Sequence, residues 1–197
     1  VSTLVGLDER LFVLLNQQWT SPFLDVVMPY LTDFDHWRIP VILILLVFLA
    51  RGSTDVRLGI LFAVLAVVVA DQVASSGIKP LFERARPFDV VEGTRQLVSA
   101  HGYAFPSSHA ANTFAAGTFL ALRFRRWWPI LLVSTAVAYS RVYVGVHWPS
   151  DAVAGAAIGA GIGTGMVAVE RAARLRLERL FRRRRDGGGA DPGADAG

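Results

Sequence analysis

The sequence predicts an all-α membrane protein, a polytopic bundle of about six helices whose functional polar residues gather at one membrane face. Three observations lead there. Of 197 residues, 53% are hydrophobic and only 18% charged, and the mean hydropathy of +0.42 exceeds that of ordinary soluble domains. Apolar segments near membrane length recur between short polar connections, and about 20 helical residues cross a hydrocarbon layer of roughly 30 Å. Trp37, Trp127, Trp128 and Trp148 stand at segment ends, where the amphipathic indole suits the lipid headgroup region.

The elements follow in order. The first residues carry neither a basic n-region nor an obvious small-residue cleavage site, so a removable signal peptide is not expected. Residues 8–19 and 21–33 are amphipathic, with Leu11, Phe12, Leu14 and Leu15 set among Asp8, Glu9, Arg10 and Asn16. Ser21-Pro22 offers an N-cap and first helical position for the second of them. This region either spans obliquely or lies at the interface. Four clearer spans are expected over 37–51, 57–79, 108–123 and 127–147, with a fifth over 149–170 opening on Pro149. Gly155, Gly159, Gly161, Gly163 and Gly165 give that last helix the small-residue spacing that lets helices approach closely. Residues 1–185 read as one membrane domain, and the small, Gly-rich, acidic stretch 186–197 as a disordered tail.

Charge placement orients the bundle. Arg51 and Arg57 share one connection, Arg123, Arg125 and Arg126 another, and Arg171 to Arg185 crowd the end of the last helix. A nucleic-acid tail is one reading of that last cluster; directly after an apolar helix it instead marks a cytoplasmic flank drawn to anionic lipid. No nucleic-acid partner and no obligatory protein partner are therefore expected. The three remaining connections, 33–37, 80–107 and 147–150, fall together on the opposite face. With no cysteine in the chain, disulfides, thiolate metal sites and cysteine nucleophiles are excluded.

Three stretches converge on that face: KPLFERARP (79–87), PSSH (106–109) and SRVYVGVHWPSD (140–151). Lys79 is the only lysine. Together Lys79, Arg86, Arg141, Ser107, Ser108, His109 and His147 suit a tetrahedral oxyanion, because phosphoryl transfer needs its non-bridging oxygens neutralised and an in-line nucleophile opposite a proton donor. Arg grips phosphate as a fork and Lys as a point charge. PSSH falls where a helix begins, so free N–H groups and the positive end of the helix dipole add to the pocket. Two imidazoles allow one nucleophile and one acid, and Asp151, four residues beyond His147, is placed to fix its tautomer. Side chains supply the cations, and the carboxylates near the site are too scattered for a divalent-metal cage, so neither metal nor cofactor is expected.

These stretches resemble the signature of the type 2 phosphatidic acid phosphatase superfamily: K-x6-R-P at Lys79 to Pro87, P-S-G-H at Pro106 to His109, and S-R-x5-H-x3-D at Ser140 to Asp151. The resemblance implies a metal-independent lipid phosphatase in which His147 forms a phosphohistidine, Asp151 orients it and His109 protonates the leaving group. Lys79, Arg86, Ser107, Arg141 and the N–H of residue 108 would then hold the phosphate. Ser108 stands where the family has Gly; it still supplies the N–H, and its hydroxyl can add a contact or a cap. The resemblance points to the small bacterial members acting on polyprenyl diphosphates such as undecaprenyl diphosphate, in the inner membrane, with the site outside and the C-terminus in the cytoplasm. Phosphatidylglycerophosphate, phosphatidate and lipid A phosphates remain alternatives, as does a non-catalytic lipid-phosphate binder. Soluble vanadium haloperoxidases share the anion pocket but not this hydropathy.

Outside the motifs, His36 and His101 are expected as core histidines, Arg84 and Arg95 as solvated loop charges, and Asp71 and Gln72 as structural polar groups inside a helix.

Overall fold

The computed structural model describes residues 2–187, with side chains placed over 6–179. Every regular element among them is helical. The first, α1 (Ser2–Val13), runs into a π-helical turn at Leu14–Gln18. Helix α2 (Pro22–Thr32) starts as its sequence predicts: Pro22 sits inside the first turn and the Ser21 hydroxyl accepts from Leu24 N at 3.2 Å. At 12 and 11 residues, α1 and α2 are each about 16–18 Å long, shorter than the hydrocarbon layer. Phe12 anchors α1 to the bundle, its ring 5.5 Å from that of Trp148. Asn16 then ties it to the backbone of Arg95 and Tyr143.

Helix α3 (Phe34–Arg51) begins earlier than the expected residue 37, because Asp33 caps it by accepting from Asp35 N at 3.0 Å. Over 39–50 it is apolar on all sides, and none of its residues is buried, the pattern of a helix whose partner is lipid. Helix α4 (Thr54–Asp71) continues through a π-helical segment, Gln72–Ile78, into the short α5 (Lys79–Phe82). Its buried side is a stripe of small residues, Gly59, Ala63, Ala66, Ala70 and Ala74. Ala66, Ala70 and Ala74 meet Ala111 and Ala115 of α7. Another short helix, α6 (Pro87–Val90), precedes the long connection to α7 (Ser108–Arg123), whose bounds match those expected.

Helix α8 covers Ile130–Tyr143, shorter than the expected 127–147 at both ends. Arg125–Trp127 form a 3-10 turn before Pro129. At the other end Gly145 adopts φ +85°, which only glycine takes without strain. Gly145 N donates to Val142 O and Val146 N to Arg141 O, the paired bonds of a Schellman ending. His147 is thereby lifted off the helix. The last helix, α9, runs over Pro149–Gly187, well past the expected residue 170. It is about 58 Å long, so its Arg-rich half projects beyond the roughly 30 Å hydrocarbon layer. Asp186 and Gly187 belong to this helix, against the expectation of a tail from 186; residues 188–197 lie outside the described residues. By length and composition, the stretches Thr54–Val90 and Pro149–Arg179 suffice to cross a membrane.

Helices α7 and α9 form the closest pair. A methyl group at Gly159 would lie 2.2 Å from Ala111 O, and Gly155 and Gly163 face Ser107 O and Ala115 O as tightly. Gly161 and Gly165, on the other side of α9, face open space, so three of the five glycines serve packing. Where α7 ends against the middle of α9, Arg123 donates to Glu170 and Asp55, and Arg174 to the same two carboxylates. The start of the same pair holds the site.

Candidate active site

Four chain connections deliver the polar residues. Lys79 opens α5, directly after the π-helical segment. Arg86 precedes Pro87 at the start of α6. Ser107 caps α7 in position, followed by Ser108 and His109 in its first turn. Arg141 occupies the last turn of α8, His147 the Schellman-turned connection, and Asp151 the first turn of α9. All the residues singled out in the motifs are brought to one end of the bundle.

The two arginines differ in what they do there. Arg86, only 4% exposed, donates through Nε to Gly102 O, through one terminal nitrogen to Val146 O, and through the other to His101 O and Tyr103 O at 2.8, 2.7, 2.9 and 3.3 Å respectively. It knits the 101–103 loop to the His147 connection. Lys79 Nζ donates to the same Tyr103 carbonyl at 3.0 Å. Arg141, also buried, donates to Thr32 Oγ1 at 2.6 Å, but its Nε has no partner. Arg141 thus keeps donor capacity that Arg86 has committed to the backbone.

The imidazole of His147 is enclosed between a cation and an anion. Its Nε2 lies 3.5 Å from an Arg86 terminal nitrogen, and its Nδ1 lies 3.5 Å from Asp151 Oδ2. The second contact is within charge range but too long for a good hydrogen bond. Burial, then the positive charges of Arg141, Arg86 and Lys79, holds this imidazole well below its ordinary pKa. His147 is therefore neutral at physiological pH. Asp151 is fully buried, with Oδ2 accepting from Trp148 N at 2.9 Å.

Unpartnered buried atoms converge here. Among the described residues, the buried side-chain atoms without a hydrogen-bond partner are Ser107 Oγ, Asn112 Oδ1, Arg141 Nε and His147 Nδ1, and three of the four belong to the motifs. A serine at an N-cap ordinarily bonds its own helix; Ser107 makes no such bond. Native interiors leave few such groups; His147 Nδ1 faces Asp151, while the free donors of Ser107 and Arg141 suit an anion that accepts. A cavity of about 500 Å³, bounded by Thr32, Asp33 and Asp35 at the α2–α3 junction and by Ser99, His109 and Arg141, opens beside them. Among the described residues no group of three His, Asp or Glu side chains is arranged to hold a metal ion.

Ser108, the departure from the motif, shares a hydrogen bond of 2.9 Å with Ser75 in the π-helical segment. Asp71 accepts from Asn112 Nδ2 at 3.0 Å, so its role is interhelical, as expected. His36 and His101 are not core residues: both are exposed, and His36 pairs with Asp33 at 2.8 Å. Trp148, expected as an interfacial anchor, is buried and donates to Ala85 O at 3.0 Å. Arg95 is not a free loop charge either, since it pairs with Asp25 at 2.6 Å, and that carboxylate raises its pKa.

The largest correction concerns Arg84. It donates to Asp151 Oδ1 and to Asp8 Oδ2, each at 2.6 Å. Sequence alone hides this, because Asp8 lies 76 positions away and outside any motif. The R-x-R-P spacing inside KPLFERARP was the one signal that could have raised it.

A helical membrane bundle holding buried arginine, serine and histidine at a helix start is the architecture of an oxyanion-handling enzyme. The chain belongs to the PAP2 superfamily, whose sequence profile matches residues 58–174, and it is a phosphatase acting on lipid phosphates. It is 36% identical over 169 residues to a lipid A 4'-phosphatase of Bacteroides thetaiotaomicron, covering 81% of this chain and 75% of that protein. An undecaprenyl-diphosphatase of Sulfolobus acidocaldarius is 33% identical over 171 residues, covering 84% and 80%. The crystal structure of Aquifex aeolicus LpxE superposes with a TM-score of 0.65 at 26% identity, covering 81% of this chain and 93% of that one. The family match begins inside α4, so α1 to α3 lie outside it.

Proposed function

We propose that the protein hydrolyses a lipid phosphate through a phosphohistidine on His147, with polyprenyl diphosphate as its substrate. The observation that carries the reading is the pair of unpartnered buried donors, Ser107 Oγ and Arg141 Nε, at the same end of the bundle as His147 with its Nδ1 turned to Asp151. Neutral His147 Nε2 attacks phosphorus while the bond to the leaving oxygen breaks. His109, at the cavity wall, donates its proton to that oxygen. In the second step His109 takes a proton from water as the water oxygen displaces Nε2, releasing inorganic phosphate. Asp151 accepts from Nδ1–H once the imidazole gains charge, and so keeps Nε2 as the attacking atom.

Arg141, Lys79, Ser107 and the N–H groups of Ser108 and His109 hold the non-bridging oxygens, with the start of α7 adding its dipole. Arg86 contributes charge while holding the 101–103 loop. Ser108 supplies its N–H in place of the family glycine, and Ser75 keeps its hydroxyl out of the pocket. Residues 1–185 act as one domain in a bacterial inner membrane, with the site on the outer face and the Arg-rich end of α9 in the cytoplasm, an orientation supported by the positive-inside pattern.

A second reading, a saccharide-borne phosphomonoester of the lipid A type, is favoured by Asp33 and Asp35. Carboxylates lining the cavity suit hydroxyl donors better than a second phosphate. The similarity to a lipid A 4'-phosphatase supports it. Phosphate release with EDTA present, from farnesyl diphosphate, short-chain phosphatidate, phosphatidylglycerophosphate and lipid A, tests both readings through kcat/KM. Turnover that persists in His147→Ala, or that requires added metal, would overturn the mechanism.

A further inference from the structure

Asp151 and His147 do not stand alone. The left-handed backbone of Glu83, φ +44° and ψ +32°, breaks the chain out of α5, and the next residue, Arg84, turns back over the Trp148 ring with its guanidinium 5.0 Å from the ring centroid. One terminal nitrogen donates to Asp151 Oδ1 at 2.6 Å and to Ser150 Oγ at 2.7 Å. The other donates to Asp8 Oδ2 at 2.6 Å. Asp8 in turn accepts from Ser150 N at 2.9 Å and from Ser150 Oγ at 2.5 Å, so it also caps the start of α9. Each oxygen of Asp151 then has its own donor: Arg84 on Oδ1, and Trp148 N on Oδ2 beside His147 Nδ1.

We propose that Arg84 and Asp8 are positioning residues for the reaction, forming a chain in which Asp8 on α1 fixes Arg84, Arg84 fixes Asp151, and Asp151 fixes His147. This rests on the reading of His147 as nucleophile. A fully buried carboxylate stays ionised only with a partner of opposite charge, and Arg84 is that partner. With Oδ1 pinned, the carboxylate cannot rotate Oδ2 away from His147. Asp8 also balances the charge of Arg84, so that a fourth cation does not compete with Lys79, Arg86 and Arg141 for the phosphate. Helix α1, outside the segment matched by the family profile, thereby takes part in the chemistry.

The test measures hydrolysis of farnesyl diphosphate and dioctanoyl phosphatidate by the full chain in detergent micelles, with phosphoenzyme formation followed in single turnover. A misplacement of this kind lowers kcat by about 10²-fold. Arg84→Gln should do so with KM held within about threefold, and should slow phosphoenzyme formation by the same factor. Arg84→Lys should recover part of the loss, and Asp8→Asn should lower kcat about tenfold. The double variant should be no slower than Arg84→Gln alone, since both act through one chain. A kcat within twofold of wild type in Arg84→Gln, a change confined to KM, or multiplicative losses in the double variant would overturn the proposal. Where Arg84→Gln is not recovered as a monodisperse protein, Asp8→Asn decides: a kcat within twofold overturns it and a tenfold loss supports it. Activity of His147→Ala is read separately, and its persistence sinks the nucleophile assignment instead.

Discussion

The contact between α7 and α9 carries buried charge at both of its ends, and the two ends are built on opposite principles. Where α7 ends, Arg123 and Arg174 face Asp55 and Glu170, two cations against two anions, and fully buried Glu170 accepts from both arginines. Where α7 starts, Lys79, Arg86 and Arg141 gather around His147, Asp151 beside the imidazole is already matched by Arg84, and Asp33 and Asp35 stand at the cavity wall. The first cluster is electrically closed and tethers α4, α7 and α9. The second is left with unpartnered donors, an arrangement that raises the energy of the protein alone and is offset when an anion enters. Burial and charge occur at both ends; only the balance separates a clamp from a site.

That contrast can be broken from either side. The largest effect is expected at the open end: His147→Ala should lower kcat by on the order of 10⁴-fold or more, with the thermal midpoint in detergent almost unchanged, as read by phosphate release and calorimetry. Arg141→Ala removes the fork with free capacity and should lower kcat/KM by about 10²–10³-fold. Arg86→Ala should lower activity and the thermal midpoint together, because Arg86 also holds the 101–103 loop. At the closed end the pattern inverts. Glu170→Gln leaves two arginines short of a buried partner and should destabilise the protein by about 3 kcal/mol, seen as a lower midpoint with kcat within twofold.

The smallest effect is one of pH. Because His147 is held below its ordinary pKa, it stays neutral while a histidine in the unfolded chain protonates near pH 6.5. The unfolded state then binds more protons below that pH, so stability should fall as pH drops from about 6.5, and the fall should be shallower in His147→Gln. The same direction places the acidic limb of kcat/KM due to His147 below pH 6.5. A limb at or above that value would contradict the charge surrounding the imidazole.

Much of the site was legible because its residues lie in short stretches with fixed spacings at segment ends, and the helix pattern put those ends on one face. Three features were not. Gly145 ended α8 before His147, a turn that hydropathy does not register, since Val144 and Val146 are as apolar as the helix. The length of α9 was hidden by its arginines, which halt a hydrophobic span but are good helix formers. Arg84 reads in sequence as a charge on a loop; only the docking of α1 through Phe12 and Asn16 brings Asp8 to it. Periodicity captures what faces lipid, and it says nothing of which distant carboxylate a buried guanidinium will meet.

The ending of α8 has a mechanical consequence. Arg141 O accepts from both Val146 N and His147 N, each at 3.2 Å, so Arg141 and His147 belong to one closed ring of backbone. His109 belongs to a different element, α7. Tilting of helices under lateral pressure or a change in bilayer thickness therefore alters the spacing between His109 and His147 before that between Arg141 and His147. On the proposed mechanism, the leaving-group step is then the one that such tilting would reach first.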